Sequence, residues 1–110
     1  MKDTLEKLQG VIQSRQKADP EKSYVAKLFN EGEEKICRKV TEEATEVLIA
    51  SLKEGDEELT SESADLLFHL MVLLTYKNIS PSKVFDELEK RMGISGLDEK
   101  ALRIAQNKGK

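Results

Sequence analysis

Five carboxylates in two short clusters are the residues of this sequence whose types and spacing are best suited to chemistry. Glu42, Glu43 and Glu46 form the first cluster, and Glu62 and Asp65 form the second. The second cluster enters the most apolar stretch of the chain, where burying an ionised side chain without a partner would carry a large energetic cost. We therefore expect these carboxylates to be paired or to bind a divalent cation.

The apolar residues around the clusters recur at helical spacing almost throughout, and strict alternation is almost absent. The sequence therefore predicts an all-α fold of four to five helices. The predicted helices begin near Asp3, at Tyr24, after Gly32, between Asp56 and Thr60, and at Pro81, and they end near Lys17, Asn30, Gly55, Lys77 and Gly93. Ser23 and Ser80 are the expected N-caps of the second and last helices.

The two acidic clusters fall on the third and fourth predicted helices. At about 100° per residue, Glu62, Asp65 and His69 lie within about 60° of one another. If the short connection at Gly55 makes these helices an antiparallel hairpin, the clusters face each other, and their mutual repulsion is relieved only by a hard cation. Mg²⁺ takes oxygen ligands and leaves positions for phosphates, so the pattern predicts a Mg²⁺-dependent phosphate enzyme.

Three further side chains near the clusters have two interpretations each. Lys39 and Lys35 precede Glu43 on the same edge of the third helix, which makes them natural phosphate contacts. Lys39 with Glu43 is equally an ordinary i,i+4 pair on a solvated face. His69 either orients Asp65 or is a buried structural histidine, and we favour the structural role.

Length and composition limit the class of protein. The chain has 110 residues, with 18 Lys and Arg against 21 Asp and Glu, and its formal net charge is -3. No basic stripe with interleaved aromatic residues is present, so we expect no nucleic-acid partner. We expect a single domain, 1–110. The longest apolar run, 70–74, is far shorter than the roughly twenty residues that span a bilayer, so no membrane partner is expected.

The cysteine content and the fourth helix give two more expectations. Cys37 is the single cysteine and Met1 leads into charged residues, so we expect a cytoplasmic protein in which Cys37 is a small buried hydrophobe. The fourth helix is apolar nearly all round between residues 66 and 74 and needs cover on several sides. We therefore expect a homo-oligomer, most simply a dimer whose central helices form a four-helix bundle.

The acidic pattern, E-E-x-x-E followed by E-x-x-D on two helices, resembles that of the MazG-type nucleoside triphosphate pyrophosphohydrolase superfamily. Four flanking segments resemble the phosphoribosyl-ATP pyrophosphohydrolase family of histidine biosynthesis. They are residues 23–29 (SYVAKLF), 39–46 (KVTEEATE), 64–70 (ADLLFHL) and 95–100 (SGLDEK). Thr41 is one departure, because many relatives carry glycine before the glutamate pair.

The resemblance implies hydrolysis of the α-β phosphoanhydride of 1-(5-phosphoribosyl)-ATP, which gives phosphoribosyl-AMP and pyrophosphate in the second step of histidine synthesis. It also implies Mg²⁺ as the cofactor. The metal ligands that it implies are Glu43, Glu46, Glu62 and Asp65. Glu42 and Glu43 are the candidate catalytic residues, and Glu42 either completes a second metal site or accepts the proton of the attacking water.

Two lysines become candidates through the same resemblance. Lys27 and Lys100 lie inside family-like segments and would reach the triphosphate or the phosphoribosyl group, although each is equally well explained as a solvated surface lysine. Two other functions stay open. A house-cleaning MazG-type enzyme would share the acidic core but owe nothing to segments 23–29 and 95–100. A helical interaction protein would use its acidic face to bind a basic partner without Mg²⁺.

Overall fold

The computed structural model describes residues 2–92, which form five α-helices. They are α1 (Lys2–Arg15), α2 (Tyr24–Glu31), α3 (Glu33–Lys53), α4 (Asp56–Tyr76) and α5 (Pro81–Met92). No strand occurs within this part of the chain, so the prediction of an all-α fold is confirmed. Each helix of residues 2–92 is too short or too polar to span a bilayer. The predicted stop at Gly93 lies outside the described residues.

The ends of the short helices follow from capping chemistry. The hydroxyl of Ser23 accepts a hydrogen bond from the backbone N–H of Ala26 at 3.2 Å and caps α2. Gly32 ends α2 with φ +100°, a left-handed conformation that a side chain would strain. Ser80 accepts a hydrogen bond from the N–H of Ser82 at 3.2 Å, ahead of α5, so both predicted serine N-caps are confirmed.

The long helices α3 and α4 form an antiparallel hairpin because only Glu54 and Gly55 separate them. The backbone N–H of Gly55 donates to the Glu58 carboxylate at 3.2 Å, which closes the start of α4. The two helices pack against each other along their length. The predicted hairpin is thus present, and it brings residues from the two acidic clusters to the same level.

The buried core lies at the end of the hairpin away from this connection, where α1 and α2 pack against it. Its buried members are Ile12, Val25, Leu28, Ile36, Met71 and Val72. The connection end has a different character, because Leu48 and Leu52 of α3 are 57% and 73% exposed. The hairpin is therefore anchored at one end and uncovered at the other.

Candidate metal centre and phosphate site

Three of the predicted metal ligands converge between α3 and α4. Glu43 of α3 and Glu62 and Asp65 of α4 each offer a carboxylate oxygen, and these oxygens all lie within 4.8 Å of one another. Glu43 and Glu62 are half-buried, whereas Asp65 is exposed. We call this group the acidic centre. It lies where the hairpin leaves the buried core, so packed helices support its backbone.

The electrostatics of the acidic centre are those of crowded negative charges. Partial burial raises the pKa of Glu62 above its ordinary value, and the neighbouring carboxylates of Asp65, Glu43 and Glu46 raise it further. A hard divalent cation would relieve this repulsion, and an all-oxygen set from three carboxylates is the donor chemistry that Mg²⁺ prefers. The residues present therefore fit a Mg²⁺ ion.

The other two carboxylates of the first cluster, Glu42 and Glu46, lie beside the acidic centre. Glu46 is exposed and outside the group of three among residues 2–92, yet it is close enough to contribute to the raised pKa of Glu62. Glu42 is also exposed, and its carboxylate pairs with the Lys39 ammonium at 3.2 Å. The structure thus brings three of the five acidic residues together and leaves Glu42 and Glu46 beside them.

The exposure of Asp65 corrects one step of the sequence argument. A carboxylate in an apolar run was expected to be buried, but in the single chain the Asp65 face of α4 is open, and Ala64 beside it is also exposed. The apolar neighbours of Asp65 point to other faces of the helix, where α1 and α2 cover some of them. The case for a cation therefore rests on the convergence of carboxylates and not on the desolvation of Asp65.

Three of the four predicted phosphate contacts line one cleft. Lys27 of α2 and Lys35 and Lys39 of α3 surround a cleft of about 230 Å³, together with Tyr24, Leu28 and Glu31. We call it the lysine cleft. Lys39 connects it to the acidic centre, because its ammonium lies 3.5 Å from Glu43. A hydrogen bond to Glu42 raises the pKa of Lys39, which keeps this lysine cationic. Lys100 lies outside the described residues.

His69 is buried and ties α4 to α2. Its Nδ1 lies 2.7 Å from the backbone carbonyl of Asp65, and since a carbonyl only accepts, Nδ1 carries the proton. In the neutral ring Nε2 then accepts from the Tyr24 hydroxyl, also at 2.7 Å. His69 therefore contacts the backbone of Asp65 and not its carboxylate.

Tyr24 is the site residue that sequence reasoning missed. The residue is 47% exposed, its hydroxyl is hydrogen-bonded to His69, and it lines the lysine cleft. Burial raises the pKa of Tyr24; Lys39 opposes this and Glu43 adds to it, so the phenol lies within the field of both groups. Tyr24 could have been identified from its place in the family-like segment 23–29, but periodicity indicated only that a helix starts there.

The prediction for Cys37 is wrong, because this thiol is exposed on α3. The apolar face of α3 that packs in the single chain runs through Ile36, and Cys37 is turned about 100° away from it. Nothing in the lysine cleft or the acidic centre involves this thiol, so it has no role in the site.

Comparisons with known proteins show the family of this chain. Residues 5–92 match the family model described as phosphoribosyl-ATP pyrophosphohydrolase. The phosphoribosyl-ATP pyrophosphatase of Erythrobacter litoralis is 52% identical, over 92% of this chain and 97% of that protein. The proteins of the same name from Paramagnetospirillum magneticum and Burkholderia multivorans are 52% and 49% identical, covering 90% and 92% of this chain and 91% and 87% of their own lengths. The chain therefore belongs to the phosphoribosyl-ATP pyrophosphohydrolase family and is an enzyme of the hydrolase class.

Proposed function

We propose that this protein hydrolyses 1-(5-phosphoribosyl)-ATP to 1-(5-phosphoribosyl)-AMP and pyrophosphate, with Mg²⁺ as cofactor. The oxygen of water would bond to one phosphorus of the α-β anhydride as the bridging P–O bond breaks, and pyrophosphate would leave. The observation that carries the proposal is the acidic centre: Glu43, Glu62 and Asp65 converge beside a cleft lined by three lysines. The family and the names of the relatives supply the substrate.

The carboxylates of the acidic centre would hold the cation. Glu46 is proposed as a fourth ligand, since it follows Glu43 by about one helical turn and already influences Glu62. Bound there, Mg²⁺ supplies charge neutralisation at the phosphates and a lowered pKa for the attacking water. Because Asp65 and Glu46 are exposed, phosphate oxygens would approach the cluster from their side.

The lysines and Glu42 would position the substrate. Lys27, Lys35 and Lys39 would bind phosphate oxygens in the lysine cleft, where their charges offset that of the triphosphate. Glu42 orients the ammonium of Lys39 through the ion pair between them. We retain Glu42 and Glu43 as the candidate general bases, because either carboxylate would take the proton of a water next to the acidic centre.

A second copy of the chain would cover the exposed apolar side chains of the hairpin. The hairpin carries five exposed large apolar side chains: Leu48, Ile49 and Leu52 at its uncovered end, and Leu67 and Leu70 further along α4. Exposed large apolar side chains in such number on one helical hairpin are typical of an interface. We propose a homodimer in which two hairpins pack as a four-helix bundle. A single domain, 1–110, and a cytoplasmic location complete the proposal.

One assay tests the reaction and the metal together. The purified protein is incubated with phosphoribosyl-ATP, with and without Mg²⁺, and pyrophosphate is measured, with ATP and deoxynucleoside triphosphates as parallel substrates. We expect pyrophosphate release from phosphoribosyl-ATP only when the divalent cation is present. Faster turnover of the ordinary triphosphates would favour a house-cleaning enzyme, and turnover in excess EDTA would refute the metal site.

A further inference from the structure

A second cleft lies on the other side of Tyr24 and has no part in the site described so far. Its volume is about 440 Å³, within the range of small-molecule pockets. Leu8 and Val11 of α1 and Phe68 of α4 give it apolar walls, and Arg15 and Lys22 also line it. Within the described residues its lining contains two cationic side chains and no acidic one. We call it the apolar cleft.

We propose that the apolar cleft binds the purine and the attached phosphoribosyl group of the substrate, with Arg15 and Lys22 contacting the distal phosphate. This inference rests on the proposed function and deepens it, because it assigns the end of the substrate that distinguishes phosphoribosyl-ATP from ATP. Tyr24 lines both clefts and would form the wall over which the nucleotide passes.

The order of chemical groups along the protein surface matches the order along the substrate. The acidic centre and the lysine cleft suit a metal-bound triphosphate. Tyr24 and the apolar walls follow, where a purine can stack on an aromatic face. Arg15 and Lys22 then provide positive charge for the phosphate of the second ribose. The triphosphate thus meets the metal and the lysines, the purine meets apolar surface, and the distal phosphate meets Arg15 and Lys22, in the same order as along the substrate.

Tyr24 is held in place before any ligand binds. Its hydroxyl donates to His69 at 2.7 Å, and its ring stacks on Phe68 with centroids 6.2 Å apart and planes 24° from parallel. A ring fixed at both ends loses little conformational entropy when a purine packs on it. This gives the buried His69 a positioning role in the binding site, since it fixes the shared wall of the two clefts.

The cationic end of the apolar cleft is ordered by the turn between α1 and α2. The backbone N–H groups of Lys22 and Ser23 both donate to the carbonyl of Asp19 at 2.9 Å, and the Asp19 carboxylate accepts from the N–H of Glu21 at 3.0 Å. These bonds hold the backbone of Lys22 at the cleft, so only its side chain must be ordered on binding.

The test compares phosphoribosyl-ATP with ATP, which lacks the distal phosphate. The variants are Arg15→Ala and Lys22→Ala, and the matched control is Lys7→Ala, an exposed lysine of α1 outside the cleft lining. We expect each cleft variant to lower kcat/KM for phosphoribosyl-ATP about tenfold, and to change the inhibition constant of ATP less than about twofold. Lys7→Ala should change neither quantity.

A second pair of variants tests the place of the purine. Val11 is 41% exposed, so Val11→Glu is compatible with the fold and puts a carboxylate against the proposed purine site. Val11→Glu should weaken the binding of phosphoribosyl-ATP and of ATP by about tenfold each, because both nucleotides carry the purine. Gln13→Glu adds the same charge to α1 outside the cleft and serves as the control.

Two outcomes would overturn the inference while leaving the proposed function intact. One is an unchanged kcat/KM for phosphoribosyl-ATP in both Arg15→Ala and Lys22→Ala. The other is a loss that ATP shares in equal measure, which would show that these residues do not distinguish the phosphoribosyl group. A wild-type protein that fails to release pyrophosphate from phosphoribosyl-ATP would instead refute the proposed function, and that result precedes any variant.

Discussion

The two ends of the α3–α4 hairpin differ in how they are covered, although both are rich in apolar residues. At the anchored end, Ile36 and Val72 are 0% exposed beneath α1 and α2. At the connection end, Leu48 and Leu52 of α3 are 57% and 73% exposed. The acidic centre lies between the two ends. This position lets the anchored end fix the backbone of the site while a face of the hairpin stays open to a second chain.

The carboxylates of the acidic centre, together with Glu46 beside it, should give the largest effects. Glu43→Gln, Glu46→Gln, Glu62→Gln and Asp65→Asn should each lower kcat at least about 100-fold, because each change removes a proposed ligand and a charge from the proposed metal site. Steady-state pyrophosphate release measures the loss. Glu57→Gln, an exposed glutamate at the start of α4, is the control and should keep full activity. Wild-type turnover in any two of the four variants would refute the assignment.

The anchored end should respond to loss of volume. Ile36→Ala should lower the free energy of unfolding by about 3 kcal/mol, because it opens a cavity in a fully packed core. Urea denaturation measures the free energy of unfolding, and the loss should be the same at every protein concentration tested. A loss below about 1 kcal/mol would show that the anchored end is loosely packed.

A charge placed at the uncovered end of the hairpin should disrupt the proposed dimer. Leu52→Glu should convert a dimer into a monomer at micromolar concentration, since it places a charge in the proposed interface while Leu52 is 73% exposed in the single chain. Light scattering distinguishes the two states. Gln13→Glu, which adds the same charge on exposed α1, should leave the dimer intact. A wild-type protein that is already monomeric would contradict the four-helix bundle.

The smallest effect concerns pH and the metal-free protein. The pKa of Glu62 is raised in the folded state, so the folded chain binds this proton more tightly than the unfolded chain does. The free energy of unfolding therefore increases as the pH falls through the raised pKa. In EDTA at pH 7, Glu62→Gln should therefore melt at a higher temperature than wild type. The difference should shrink as the pH is lowered toward about 5. A difference that grows on acidification would contradict the crowding of negative charge.

Helix positions and the hairpin could be predicted because their causes are local. The caps at Ser23 and Ser80 depend on hydroxyls within three residues of the groups they satisfy, and the left-handed turn at Gly32 depends on a missing side chain. The same holds for the short connection at Gly55. Spacing along α4 also placed Glu62 and Asp65 on one face, which fixed their approach to Glu43 once the hairpin formed.

Other parts of the site depend on contacts between distant segments. Tyr24 and His69 are 45 residues apart in sequence, and nothing in the periodicity of α2 or α4 indicates that their side chains meet. The exposure of Asp65 and of Cys37 also escaped prediction, because an apolar run shows that a helix has partners but not which faces those partners cover.

The sequence by itself determined the all-α class, the approximate helix ends and the approach of the two acidic clusters, because backbone capping and helical periodicity act over a few residues. Only the tertiary structure decided that Tyr24 separates a lysine cleft from an apolar cleft, and that one end of the hairpin stays uncovered. These features follow from how α1 and α2 pack on the hairpin, and such packing depends on the shapes of surfaces from several segments at once.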